Sequence, residues 1–146
     1  MDWALRAQSI VSNSSYASSG VDIAVADAAK ELMRDAVKAA QGPEVLAGIG
    51  AFAGIYDLSR IQHMRAPALV ASTDGVGTKT LIAAQAGRFE TIGYDLVNHS
   101  VNDLLTQGAT PLFFMDYLAM GKLDPIHAAT IVKSVCLLYT SPSPRD

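Results

Sequence analysis

Two clusters in this sequence carry residue types that do chemistry, and the first is Ser72-Thr73-Asp74-Gly75-Val76-Gly77-Thr78-Lys79. Gly75 and Gly77 let the backbone turn with φ > 0 and bring N–H groups close to an anion. A helix starting at Thr78 adds its unpaired N–H groups and its dipole at the same place. Lys79 adds a full positive charge. Asp74 repels a phosphate, so it fits such a site when Mg2+ lies between, because Mg2+ takes one or two carboxylates together with phosphate oxygens. The spacing is not that of a Walker A loop, since Gly77 is followed by Thr78 and only then by Lys79. On spacing alone the stretch reads either as a metal–nucleotide turn or as a tight strand–helix turn in which Asp74 merely caps the helix.

The second cluster lies on a helix expected over residues 91–107. Asp95, His99, Asn102 and Thr106 stand at i, i+4, i+7 and i+11, which places them on one face. Val97, Val101, Leu104 and Leu105 form the opposite, apolar face, and Asp103 sits at the edge of the polar stripe. A face made for solvation alone would normally carry Lys and Glu, and residues 91–107 contain neither. Asp, His and Asn suit metal or phosphate chemistry, although a solvated face fits the same pattern. A third feature, Gly48-Ile49-Gly50-Ala51-Phe52-Ala53-Gly54, reads as a flap over phosphates or as a strand packed tightly on a helix. Asp116, inside an apolar run, is either a buried hydrogen-bonded acid or a site residue. His63 and His127 receive no functional role.

The elements that position these residues follow from periodicity and punctuation. An amphipathic helix spans residues 22–41 and stops at Gly42-Pro43. Residues 49–58 read as a glycine-laden strand and residues 68–73 as a short apolar strand. Helices follow at residues 78–86, closed by Gly87, and at 91–107, closed by Gly108. The apolar run 111–120 reads as a buried strand, and Asp124-Pro125 opens a last helix with Asp124 as its N-cap. The order α-β-β-α-α-β-α lacks regular βαβ alternation. The expected fold is therefore α+β, a mixed or antiparallel sheet with helices packed on one face.

Composition bounds the function. The 146 residues suffice for one domain, and a net charge of −3 does not make a nucleic-acid surface. No apolar run reaches the roughly 18 residues of a membrane helix, and the N-terminus lacks the pattern of a signal peptide. The single cysteine, Cys136, excludes an internal disulfide. A cytoplasmic enzyme or enzyme fragment is the expectation.

Several long words then match one family in order and spacing: Tyr16 to Ile23 (YASSGVDI), Pro43 to Leu58 (PEVLAGIGAFAGIYDL), Ser72 to Lys79 (STDGVGTK), Thr91 to Gly108 (TIGYDLVNHSVNDLLTQG) and Ala109 to Asp124 (ATPLFFMDYLAMGKLD). Over about residues 16–135 the chain resembles the N-terminal half of the phosphoribosylformylglycinamidine cyclo-ligase (AIR synthetase) family of purine biosynthesis. The resemblance implies an ATP-dependent, C–N bond-forming ligase that closes the imidazole ring of 5-aminoimidazole ribonucleotide from formylglycinamidine ribonucleotide. ATP phosphorylates the formyl oxygen, the substrate's amine attacks that carbon, and phosphate leaves. It also implies a homodimer in which the sheets pair into a barrel. Carried onto this chain, Asp74, Asp103 and Asp95 hold Mg2+. Lys79, Thr78 and the N–H groups of Gly75 and Gly77 hold ATP phosphates, Gly48 and Gly50 form a second phosphate-facing loop, and Asn102 orients substrate or metal-bound water. Asp74, Lys79 and Asn102 are the expected catalytic residues.

The chain departs from the family pattern at Ala17-Ser18, where many relatives carry Lys-Asp, and in a glycine loop with fewer glycines. The expected organisation is a flexible arm over 1–15, the family's N-terminal domain over 16–135, and a tail over 136–146 (CLLYTSPSPRD) that resembles translated adapter sequence. The family's C-terminal domain is absent, so the expectation is a fragment inactive by itself. Two other readings stay open: a related ATP-dependent kinase or synthase of the same superfamily, and a dimerising nucleotide-binding module without turnover.

Overall fold

The computed structural model describes residues 22–140. The expected arm, Ala17-Ser18 and the last residues of the tail, 141–146, lie outside the described residues. Helix α1 spans Ile23–Ala40. Asp22 opens it, its Oδ1 accepting from the Val25 N–H at 3.2 Å, and the extended Gln41 before Gly42-Pro43 ends it. Its wet side carries Asp27–Lys30 and Glu31–Arg34 ion pairs.

Two short strands follow, β1 (Val45–Ala47) and β2 (Ile55–Tyr56), paired antiparallel with Val45 opposite Tyr56 and Ala47 opposite Ile55. The strand expected over 49–58 is thus confined to its last part. The glycine segment before it is the connection between strands, and Gly50 at φ +100° adopts a conformation no ladder residue takes. A 3-10 turn at Ser59–Ile61 completes this region.

Helices α2 (Lys79–Ala86), α3 (Ile92–Thr106) and α4 (Pro125–Thr140) match the expected segments. Gly87 and Gly108 close α2 and α3 in the left-handed region, at φ 63° and 66°. Asp124 Oδ1 accepts from the Ile126 and His127 amides, both at 2.9 Å, so the first turn of α4 is capped as expected. Helix α4 runs on through Cys136 to Thr140, past the expected domain limit at Val135.

The expected strands over 68–73 and 111–120 do not form. Neither segment has a ladder partner among the described residues. Leu69, Met115 and Tyr117 are 69%, 81% and 89% exposed, so the run read as a buried strand lies open. An apolar run reports a tendency to be covered, whereas a strand also needs an edge to pair with, and the described residues offer only the short outer edges of β1 and β2. One ring contact, Tyr56 on Phe113 at 5.2 Å between centroids, joins the second segment to β2. Among the described residues the fold is therefore four α-helices with a small two-stranded antiparallel sheet. The helices pack on one another and not on a sheet face.

Helix α4 is the hub, in contact with both α1 and α3. Its buried face is Ala128, Ala129, Ile131, Val132, Ser134 and Val135. Ala29, the buried residue of α1, lies on a helix whose helical neighbour is α4. Ile131 joins Ala83 and Ile92 in one apolar cluster, with Val76 and Phe89 packed against it. That cluster ties both ends of the turn-bearing region to the hub: Val76 sits in the turn and Ile92 starts α3. Among the described residues no helix is long and apolar enough to cross a membrane.

Candidate active site

The turn 72–79 lies along the polar face of α3, held by three side-chain contacts in antiparallel order. Ser72 Oγ donates to Asp103 Oδ2 at 2.7 Å, His99 Nε2 meets Asp74 Oδ2 at 3.1 Å, and Lys79 Nζ donates to Asp95 Oδ1 at 2.8 Å. A chain running extended advances about 6.7 Å over two residues and a helix about 6 Å over four. Ser72 and Asp74 therefore come into step with Asp103 and His99. The long Lys79 side chain spans the rest of the turn to reach Asp95, one helical turn further back.

The backbone of the turn is committed in part only. The Gly75 N–H donates to Asp74 Oδ1 at 2.7 Å, and Thr80 N–H and Oγ1 both donate to the Gly77 carbonyl. Gly77 sits at φ +79°, where a side chain would be strained. Thr78 occupies the N-cap position of α2 with its hydroxyl uninvolved in capping. Among the described residues, the amides of Gly77, Thr78 and Lys79 make no hydrogen bond. They start an exposed helix, next to the Lys79 ammonium. The Asp74 carboxyl is held below the ordinary carboxylate range, first by the Gly75 N–H and then by the hydrogen bond and charge of His99. It stays ionised and available to a cation.

The three carboxylates expected to hold Mg2+ thus take three different partners: His99 for Asp74, Lys79 for Asp95, Ser72 for Asp103. Among the described residues no group of three or more His, Cys, Asp or Glu converges on one point. The arrangement is no protein-only metal cage. A Mg2+ shared with phosphate needs only one or two carboxylates, and exposed aspartates are the hard oxygen donors it prefers. The exposed Lys79–Asp95 pair contributes at most about 1 kcal/mol, so an anionic ligand can exchange it at little cost.

Asn102 is exposed beside Asp103 and makes no side-chain hydrogen bond among the described residues. Thr106 turns to the Asp103 carbonyl at 2.7 Å. Gly48 and Gly50 lie in the β1–β2 connection, and no hydrogen bond or ion pair joins that segment to the turn among the described residues. Asp116 is exposed by surface area, yet neighbouring protein atoms partly desolvate its carboxyl and lift it above the usual range. It lines an open groove of about 800 Å³ that includes Leu69, Leu104, Phe113 and Phe114 and reaches Asp74 and Gly75. Sequence reasoning missed Ser72 and gave His99 no role of its own. The available signal was the pairing of i, i+2 spacing in the turn with i, i+4 spacing in α3.

Residues 50–138 match the family model described as AIR synthase related protein, N-terminal domain. The chain belongs to this family. The matched span contains the turn, α2, α3 and most of α4, so the three cross-links lie wholly inside the AIR synthase N-terminal domain. Among curated proteins, the chain is 50% identical over 121 residues to the phosphoribosylformylglycinamidine cyclo-ligase of Nitrosospira multiformis, covering 83% of this chain and 34% of that protein. It is 50% identical over 120 residues to the protein of that name from Citrifermentans bemidjiense, covering 82% and 34%. The corresponding protein of Macrococcus caseolyticus is 50% identical over 121 residues, covering 83% and 35%. The chain spans about a third of the length of the curated relatives it matches.

Proposed function

We propose that this chain is the N-terminal region of a phosphoribosylformylglycinamidine cyclo-ligase, a cytoplasmic ligase of purine biosynthesis that uses Mg-ATP on formylglycinamidine ribonucleotide. The observation that carries the reading is the laying of the turn along α3. It gathers uncommitted amides at Gly77, Thr78 and Lys79, a cation at Lys79, and carboxylates at Asp74, Asp95 and Asp103 on one exposed surface. Bound Mg-ATP supplies the phosphoryl group that turns the formyl oxygen of the substrate into a leaving group. Phosphoryl transfer asks the protein for positioning and charge neutralisation more than for covalent chemistry.

In this reading the turn amides and Lys79 bind phosphate oxygens, with Lys79 leaving Asp95 to do so. Asp74 and Asp103 hold Mg2+, and the released Asp95 is the third carboxylate available to it. Asn102, exposed on the same helix, orients substrate or metal-bound water, and Gly48 and Gly50 approach phosphate from the β1–β2 connection. The open apolar segments around Leu69 and Met115 pair with a second copy, completing the sheet and the dimer barrel.

A second reading, nucleotide binding without turnover by the 146-residue chain, is favoured by its covering only about a third of its relatives. One experiment separates the two. The full-length parent and the 146-residue chain are each assayed for phosphate release, with formylglycinamidine ribonucleotide and with a panel of other phosphate acceptors. We expect substrate-dependent release by the parent and binding without release by the short chain. A parent that phosphorylates another acceptor and ignores formylglycinamidine ribonucleotide would overturn the cyclo-ligase reading.

A further inference from the structure

We propose that His99 is a positioning residue: its contact with Asp74 fixes the carboxylate of the turn on α3, and Ser72 does the same for Asp103. The use of the fixed carboxylates rests on the nucleotide reading above, whereas the clamp itself rests on geometry. A histidine on an exposed helix face has no need of a partner. This one reaches across 25 residues of sequence to Asp74 Oδ2 at 3.1 Å. The other oxygen of the same carboxylate accepts from the Gly75 N–H at 2.7 Å. With both oxygens held, the plane of the Asp74 carboxylate is fixed, and a carboxylate has about four lone-pair sites, so each oxygen keeps one for a cation or water.

The rung at the far end is built alike. Ser72 Oγ donates to one oxygen of Asp103 at 2.7 Å. The Asp103 backbone is braced in turn by Thr106 Oγ1, which donates to its carbonyl at 2.7 Å. The Lys79–Asp95 rung differs. It is a charge pair whose lysine is the only cation in the turn, and an anion competes for it. The three rungs therefore divide into two that hold carboxylates in place and one that opens to the ligand. Side chains that hold a ligating carboxylate in one orientation reduce what must be ordered when the cation arrives.

The test is amide hydrogen exchange on the 146-residue chain, comparing the wild type with His99→Ala, His99→Gln and Ser72→Ala. His99→Ala should speed exchange at the hydrogen-bonded amides of this segment, Gly75, Thr80 and Leu81, by roughly 5-fold, the scale expected from one lost cross-link. Exchange within α4 should stay unchanged. His99→Gln keeps an N–H donor of similar reach and should restore most of the protection, which simple loss of side-chain bulk does not explain. Ser72→Ala, too small a change to unfold the chain, should loosen the start of the same segment, and it decides the matter if His99→Ala loses its helical signal. Unchanged exchange of the Gly75, Thr80 and Leu81 amides in both alanine variants, or glutamine behaving as alanine, overturns the clamp. A parallel Mg-ATP titration reads the other half. Wild-type binding weakened roughly 10-fold by His99→Ala and regained with His99→Gln is the expected result. If the wild type binds no Mg-ATP while the exchange pattern holds, the nucleotide reading fails and the clamp stands.

Discussion

Alanine at position 93 should destabilise the protein, against the usual sign of a glycine-to-alanine change in a helix. Glycine inside a helix ordinarily costs about 0.5–1 kcal/mol relative to alanine, so the intrinsic term favours the variant. Here a Cβ on Gly93 would stand 2.7 Å from the Ile131 carbonyl oxygen, and nearer still to the Val135 amide nitrogen and to Ser134 Oγ. Two of these three atoms are backbone and cannot rotate away, so α3 and α4 must separate. Overpacking of this kind costs about 1–3 kcal/mol. Separation also stretches the buried bond from the Gly93 N–H to Ser134 Oγ, now 3.0 Å, whose loss adds about 1 kcal/mol. The net expectation is about 2 kcal/mol of destabilisation, a fall in Tm of roughly 6 °C for a chain of this size. Urea and thermal unfolding followed by far-UV circular dichroism read it directly. Adding Ser134→Ala removes one of the three close atoms and should recover only part of the loss. A Gly93→Ala protein as stable as the wild type, or more so, would refute the close α3–α4 crossing.

Three further outcomes follow from single contacts. Ser134→Ala alone leaves the Gly93 N–H buried without its acceptor, and Thr91 at the α3 N-cap makes no side-chain bond that could replace it; a loss of about 1–2 kcal/mol is expected in the same unfolding assay. Gly77→Ala must hold φ near +79°, which costs an L-residue about 1–2 kcal/mol, so faster exchange of the bonded Thr80 and Leu81 amides should accompany a small fall in Tm. Asp124 is held below its ordinary range by the His127 N–H first, with the His127 charge and the Ile126 N–H adding to it. Its folded pKa is depressed, so the cap is fully present above the unfolded value of about 3.9 and is lost as pH falls through the folded value. Acid titration by NMR should show the first turn of α4 loosening below about pH 4, and Asp124→Asn, which still accepts these bonds, should abolish that step.

The helices were legible because their signals are local. Gly87 and Gly108 take the left-handed conformation their positions imply, and Asp124-Pro125 caps and starts α4 as its residue types require. The strands over 68–73 and 111–120 were not legible in the same way. Apolar content marks a segment that gains from being covered, but pairing depends on an edge supplied from elsewhere, and Leu69 and Met115 lie open here. The candidate site was legible in part. Asp95 and His99 stand where helical spacing places them, whereas the third contact falls on Asp103 and not on Asn102. Residues 95, 99 and 103 form an i, i+4, i+8 row, and such rows run inclined to the helix axis. A segment crossing α3 obliquely follows that row, while a stripe counted parallel to the axis selects residue 102. The crossing direction comes from Val76 and Ile92 meeting the α4 cluster, a long-range packing fact that spacing does not carry.

Whether the turn at 72–79 receives a nucleotide phosphate decides what this surface does. Titration of the isotope-labelled 146-residue chain with Mg-ATP, followed by amide NMR, measures this residue by residue. Saturable shifts concentrated on Gly75, Gly77, Thr78 and Lys79, with Asp95 responding as Lys79 leaves it, are the result the account requires. Saturable binding that leaves those amides unmoved, or no binding at concentrations up to about 1 mM, where the binding free energy is near −4 kcal/mol, would contradict it.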